Sequence, residues 1–558
     1  MTRALLAIAI SGVLLAACGG HSAGPAEGVV PQVPLARSMQ AHPNGDPNEL
    51  PVPPEVDSVD GVATVSLIAD INPATSFPDF DYNGQHNVIP TIRVNPGDKI
   101  VMDIQNNLPP GHGFKDDMNV HFHGLNTSPR RPADDVLTML AMPGGTLHYV
   151  VPIPATQEPG LYWYHPHVHG HTNYQVGQAG MSGAIIVTGL EHHLPGLGKM
   201  VERLIIVRDT GPSTTIGPRP GGEDAADGSS ADGDMASMDG TGSTNGSASM
   251  DGMASMNGDS SAGGVRPQDT NVHPCGPDPN LTVTLNGAVH PDITIKPGEQ
   301  QFFRLINATG HKTMKLAVDG GSLEVVAIDG YALDSYPGTP PTMTVPFLIV
   351  PAAARAEFIV TGPASGRTTF RALCYDSGPN GDPDPMVVLA HIVAPTGHSS
   401  PAVAHRPLTV GAPLPQNVYT TSLPPPAVKR TVVFSEAPGG HFFINGKRFK
   451  INDPPMYVVH TGTVEQWRVL NVTREIHDFH IHQVHFLIVS INGQKVAHPY
   501  WQDSAVLPHR RGPGANGPPG NVVMLMDFRD RIIHGTFLFH CHILDHEDAG
   551  MMAKIQAI

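Results

Sequence analysis

The chain has 558 residues with 60 Gly, 56 Pro and 31 His, and a formal net charge of −17. The length allows roughly two to four domains, and the Gly and Pro content favours short strands and turns over long helices. The charge argues against a nucleic-acid partner. The histidines, nearly as many as the 33 Lys and Arg together, lean toward metal, because imidazole is the commonest metal ligand.

The N-terminus opens with the short basic stretch Met1-Thr2-Arg3. An apolar run, Ala4 to Ala17, follows and is too short to span a membrane as a stable helix. It ends in Leu15-Ala16-Ala17-Cys18 before two glycines, and so resembles a bacterial lipoprotein signal, whose cysteine takes a lipid and becomes the new N-terminus. That resemblance implies an exported protein of the periplasm or cell envelope, touching the membrane only through lipid on Cys18. No twin arginine is present, so export by the general route and metal loading outside the cytoplasm are expected. Residues 19–58, rich in Pro, Gly and Ala, read as a tether. Beyond Cys18 and Cys541, only Cys275 and Cys374 remain, and an oxidising compartment would let them pair.

The body carries a weak threefold repeat. Its copies run Asn83 to Asn106, Asn286 to Asn307 and Asn445 to Asn471, each opening on Asn-Gly. In each, a glycine (Gly97, Gly298 or Gly462) precedes the closing asparagine by nine residues. Alternation such as Lys99-Ile100-Val101-Met102 or Gln301-Phe302-Phe303-Arg304 suits half-buried strands. Strand, Pro-Gly or Thr-Gly turn and strand, three times over, predict an all-β protein of three β-sandwich domains. The expected spans are 59–195, 196–398 and 399–558.

Inside the second span, residues 221–264 are dominated by Gly, Ser, Asp and Ala, which cannot bury a core and are expected to be disordered. The segment nonetheless holds Met235, Met238, Met250, Met253 and Met256, which a solvated linker has no packing reason to carry.

Four His-x-His pairs stand in the terminal spans and none in the middle one: His121/His123, His165/His167, His480/His482 and His540/His542. Residues i and i+2 of a strand share a face, so each pair is a half-site for a metal. Eight imidazoles exceed what one ion takes and suit a cluster of about three. For the pairs to converge, the terminal domains must meet, with the middle domain holding them at the right distance. A second donor set is left over. Cys541 points away from its flanking histidines, His546 and Met551 follow it, and His477 precedes the third pair. Two imidazoles, a thiolate and a weak thioether make the blue-copper ligand set; a structural zinc site would want more cysteines.

These four segments, HFHG, YHPHVHG, HDFHIH and HCHILDHEDAGMM, resemble the copper motifs of the three-domain multicopper oxidases, closely over residues ~60–192 and ~430–558 and loosely between. The resemblance implies three consecutive cupredoxin-like Greek-key sandwiches and four copper ions, one type 1, one type 2 and a type 3 pair. It implies a type 1 ion on His477, Cys541, His546 and Met551, and a type 2 ion on His121 and His480. The type 3 pair would take His123, His165, His167, His482, His540 and His542. The chain departs from the family at Asp478, where proline is usual; an acid there is expected to tune potential or substrate docking. By the same resemblance Glu547 and Asp134 are proton-relay candidates, and the reaction is four one-electron oxidations of a donor coupled to reduction of dioxygen to water. The donor is Cu(I) or a phenol or aromatic amine. The methionines of 221–264, soft ligands at spacings of three, favour Cu(I) and a role in copper tolerance. The competing readings are a broad laccase and, less favoured, a copper-binding electron-transfer protein without turnover, which would leave the four pairs unexplained.

Overall fold

The computed structural model describes residues 46–111, 113–209, 281–395, 408–512 and 517–558. The signal, the methionine segment 221–264 and Cys275 lie outside them. Cys374 is disulfide-bonded. Among the described residues no helix is long and apolar enough to cross a membrane.

The repeat is a structural unit in all three copies. Asn83-Gly84, Asn286-Gly287 and Asn445-Gly446 have positive φ at both residues, between 50° and 87°, as a tight hairpin turn matching strand twist requires. The strands around each turn pair alike. Val62–Ile71 lies parallel to Lys99–Asn106, Glu202–Asp209 to Gln300–Asn307, and Val428–Ala437 to Thr463–Asn471. The closing asparagines Asn106, Asn307 and Asn471 are fully buried. Each side-chain amide bridges two carbonyls, those of Asp116 and Ala141, Lys312 and Val350, or Glu475 and Leu507. Each side-chain oxygen accepts the amide two residues on. The asparagine thereby satisfies backbone groups that the chain buries as it leaves the strand.

Around these units the described residues form six sheets, two per sandwich. In the first, Glu55–Asp57, Thr91–Val94, Gly183–Val187, Gly160–His165 and His121–His123 are neighbours in that order, beside a four-stranded sheet built on Val62–Ile71 and Lys99–Asn106. The other two sandwiches each pair a seven-stranded with a five-stranded sheet. Each sandwich has its own apolar core.

Two expectations need correction. Lys99–Asn106 alternates as expected, but seven of the eight residues of Gln300–Asn307 are buried. Phe303 and Leu305 enter the middle core. Ile306 packs with Leu161 and Trp163 of the first domain, and Phe302 with Leu190 and Leu194. The strand's outer face is therefore an interdomain face, and its buried Arg304 pairs there with Glu202 and Glu357. The second correction concerns residues 46–58, read as the end of a tether. Leu50 is buried in the middle core, Glu49 accepts hydrogen bonds from Thr294, and Glu55–Asp57 adds a parallel strand to the first domain. Their prolines are compatible with an edge strand and with a path that crosses from one domain to the next.

Candidate metal centres

The terminal domains meet through the helix Leu544–Asp548, which follows the His540-Cys541-His542 strand. Asp548 accepts the backbone amides of Thr172 and Asn173 at 2.9 Å, and Thr172 Oγ1 donates to Glu547 Oε1 at 2.8 Å. This seam brings all four histidine pairs together, each fully buried.

Their ring nitrogens gather in overlapping trios: His121, His123 and His165; His121, His480 and His482; and His167, His482 and His540. Nε2 of His540 lies 3.3 Å from Nε2 of His167 and 3.2 Å from Nε2 of His482. The rings of His123, His165 and His542 form a triangle with centroids 5.5–5.7 Å apart. The ring centroids of His121 and His480 are 5.9 Å apart, and each stacks on a ring from the other terminal domain, His121 on His482 at 3.7 Å and His480 on His123 at 3.8 Å. A neutral imidazole carries one N–H, so three nitrogens pointing at one another leave lone pairs facing lone pairs. His121 Nε2, His123 Nδ1, His165 Nε2, His480 Nε2 and both nitrogens of His542 are buried without hydrogen-bond partners. Such groups are costly unless something binds them. Burial, reinforced by neighbouring imidazoles, holds the pKa values of His165, His167, His482 and His542 well below the ordinary value. These rings are neutral and able to donate lone pairs to cations.

Cys541 heads the separate set. Its Sγ is 3.7 Å from Nδ1 of His477 and 3.7 Å from Nδ1 of His546, and the two nitrogens are 3.1 Å apart. Met551 is fully buried in the same apolar cluster. Its amide donates to His546 O at 2.9 Å, and its carbonyl accepts from Cys541 N at 3.0 Å. Burial pushes the Cys541 thiol pKa well up; a bound cation would draw out the thiolate. The donors and their unmet lone pairs thus fit a soft or borderline metal.

The two candidate relay carboxylates sit at different sets. Asp134 is buried, lies 2.9 Å from Nδ1 of His121, and accepts from Phe122 N at 2.9 Å and from Gln483 of the third domain. Its neighbour Asp135 instead caps the local turn at Leu137 and Thr138. Glu547 Oε2 lies 3.1 Å from Nδ1 of His540, without hydrogen-bond alignment because that nitrogen faces Cys541 O at 3.0 Å. Asp478 is fully buried, which removes it from any docking surface. Its carboxylate accepts from Ala352 N at 3.0 Å, and burial pushes its pKa up to about 7.

Sequence reasoning missed Asp503 and Arg355. Asp503 Oδ1 is 3.2 Å from Nε2 of His123 and 3.6 Å from Nδ1 of His480, one ring from each terminal domain. Arg355 of the middle domain donates to both oxygens of Asp503 at 2.7 and 2.6 Å. It also reaches Leu161 O of the first domain. Gly124 passes so close that a Cβ there would strike the guanidinium. Asp329 completes the knot by accepting the amides of Arg355, Asp503 and Ser504. Burial alone would raise both carboxylates; Arg355 and His123 reverse this at Asp503, holding it well below the usual range, while Asp329 stays raised. No motif spacing marks these residues. Arg355→Leu leaves Asp503 as an uncompensated buried charge, so a loss of about 3–5 kcal/mol is expected, together with loosened His123 and His480. Denaturant unfolding and metal content of the purified variant check both.

A cavity of about 590 Å³ lies beside the Cys541 set, lined by Glu436, Pro438, Gly439, Phe442 and Glu475 among others. Phe442 stacks on His546 at 4.1 Å, and Glu475 Oε1 is 3.6 Å from His546 Nε2.

Comparison with known proteins agrees with this geometry. Three family models, each described as multicopper oxidase, match in succession over residues 75–192, 234–385 and 421–557. A multicopper oxidase of Staphylococcus aureus is 24% identical over 482 residues, covering 85% of this chain and 83% of its own. A laccase of Bacillus subtilis is 26% identical over 322 residues, 50% of this chain and 56% of its own. Among solved structures, a Campylobacter jejuni multicopper oxidase described as a metallo-oxidase superposes with a TM-score of 0.62 at 19% identity, covering 94% of this chain and 99% of that one.

Proposed function

This chain belongs to the multicopper oxidase family, and on that premise we propose that it couples four one-electron oxidations of a donor to the reduction of dioxygen to water. The observation that carries this reading is the convergence of eight buried imidazoles, many with unmet lone pairs, beside a separate Cys541 set on the same strand. His477, Cys541, His546 and Met551 would hold a type 1 ion. His121 and His480 would hold a type 2 ion, and His123, His165, His167, His482, His540 and His542 a type 3 pair. Bound copper would supply one-electron redox chemistry at the first set and oxygen reduction at the others.

The residues of the chain do the rest. Cys541 shares the strand Gly535–Cys541 with His540 and is followed directly by His542, so the backbone provides a covalent route from the donor side to the oxygen side. Asp134 and Asp503 fix the rings of His121, His123 and His480. Glu547, held by Thr172, and Asp134 are the proton-handling groups, each beside a different histidine set. Glu475 and Phe442 present the edge and face of His546 to the donor.

For the donor we favour Cu(I). Glu436 and Glu475 attract a cation, and the thioethers of 221–264 would deliver it. The laccase reading has its own support, since the cavity has the size and aromatic wall of an organic-ligand site. Oxygen uptake by the copper-loaded protein with Cu(I) and with a simple phenol, with and without residues 221–264, separates them. Selective loss of Cu(I) oxidation on deletion supports the cuprous reading; unchanged rates with both donors would make laccase the better description.

We also propose that the protein is an exported lipoprotein. Replacing Cys18 by Ala is expected to move it from the membrane fraction to the soluble one; unaltered fractionation would contradict lipid attachment.

A further inference from the structure

A second cavity, of about 360 Å³, lies on the third domain, lined by Lys447, Arg448, Phe449, Lys450, Asp453, Pro454, Met456, Met552, Ala553 and Lys554. Its chemistry runs against the rest of the molecule. The chain carries a net charge of −17, yet four cations and one carboxylate surround this hollow. Gathering like charges around a concavity costs repulsion that an anion would relieve. The remaining wall is apolar and polarisable, with one aromatic ring and two thioethers, which favour contact with a ring. The volume falls at the small end of organic-ligand sites, roughly 300–1,000 Å³.

The hollow is also tied to the Cys541 set. Arg448 Nε donates to Ala549 O at 2.9 Å, and Phe449 N donates to Gly550 O at 3.0 Å. Gly550 has a φ of 106° and lies so close to Arg448 that a side chain there would strike it. The next residue is Met551, bonded through its backbone to His546 and Cys541, and the one after, Met552, lines the cavity. The cavity wall and the segment Ala549–Met552 are therefore one piece of backbone.

We propose that this cavity is a binding site for a small aromatic carboxylate, and that its occupancy alters the Cys541 centre through Arg448 and the Ala549–Met552 segment. The carboxylate pairs with Lys447, Lys450 and Arg448, Lys554 being held by Ile451 O and Asp453 O, and the ring lies among Phe449, Met456 and Met552. The second half of the proposal rests on the copper reading above; the first does not.

The test is titration of the full-length, copper-loaded protein with benzoate, followed by calorimetry and by the visible absorption of the type 1 ion. Inorganic phosphate and cyclohexylmethanol serve as comparison probes. Saturable benzoate binding is expected, weakened about tenfold or more by the double variant Lys447→Glu, Lys450→Glu, which reverses two surface charges outside the copper ligands. A shift of the visible band that saturates with the calorimetric signal is expected as well. Absence of saturable binding, or binding that the double variant leaves unchanged, overturns the site. Phosphate binding as tightly as benzoate overturns the aromatic class, and cyclohexylmethanol binding as tightly overturns the carboxylate. Binding with an unmoved visible band overturns the coupling. A protein with no visible band at all would count against the copper assignment, while calorimetry would still report on the cavity.

Discussion

Cys541→Ser is expected to abolish the blue colour and donor oxidation together. Serine is nearly isosteric, so the buried site should still fold. An oxygen lacks the soft, strongly covalent bond that sulfur makes to copper, and an alcohol in so apolar a site has no means of ionising there. The two imidazoles 3.1 Å apart would remain as a weak two-nitrogen site. The route from that site to His540 and His542 starts at the sulfur, so oxygen uptake should fall with donor oxidation. Visible absorption and oxygen uptake on the same preparation decide the matter; an intact blue band would show that the thiolate belongs elsewhere.

His482→Ala should split those two properties. Its Nε2 faces that of His540 at 3.2 Å, and its ring stacks on His121 at 3.7 Å. The His477, Cys541 and His546 group shares no donor atom with it. The blue band should therefore survive while steady oxygen uptake stops, and the donor should be able to reduce the blue site once without turnover. Stopped-flow mixing with donor under oxygen reads this directly. Full uptake by the variant would mean that the oxygen-reducing cluster does not use His482.

The parts of this molecule that could be read from sequence are those where one residue type at fixed spacing does one job. The repeat was legible from its fixed glycine-to-asparagine spacing and strand alternation; its opening Asn-Gly proves to be a hairpin turn, since such residues take two positive φ values cheaply. The histidine pairs were legible as His-x-His repeats, but strand periodicity accounts only for His121 and His123; His167, His482 and His542 lie just past the ends of their strands. Asp134 and Glu547 came only from family likeness, and the structure gives each a buried partner. What was hidden is mostly interdomain. The double burial of Gln300–Asn307, the docking of residues 46–58 and the Arg355–Asp503–Asp329 knot join segments more than a hundred residues apart, and no local pattern records such a meeting. Asp478 was misjudged in part for the same reason. Of its two expected roles, tuning potential or substrate docking, burial under Ala352 and Thr313 of the middle domain rules out the second and leaves the first open.

The placement of the ligands has a consequence for how the protein comes into being. His121 to His167 leave the ribosome long before His477 to Met551. The proposed type 2 and type 3 ligand sets each draw on both ends of the chain. A chain that has not reached the third domain therefore owns only part of the proposed oxygen-reducing cluster, while the Cys541 set lies wholly within the third domain. Reactive chemistry is withheld until the last strand is laid beside the first domain, so completion of synthesis itself acts as the safety catch.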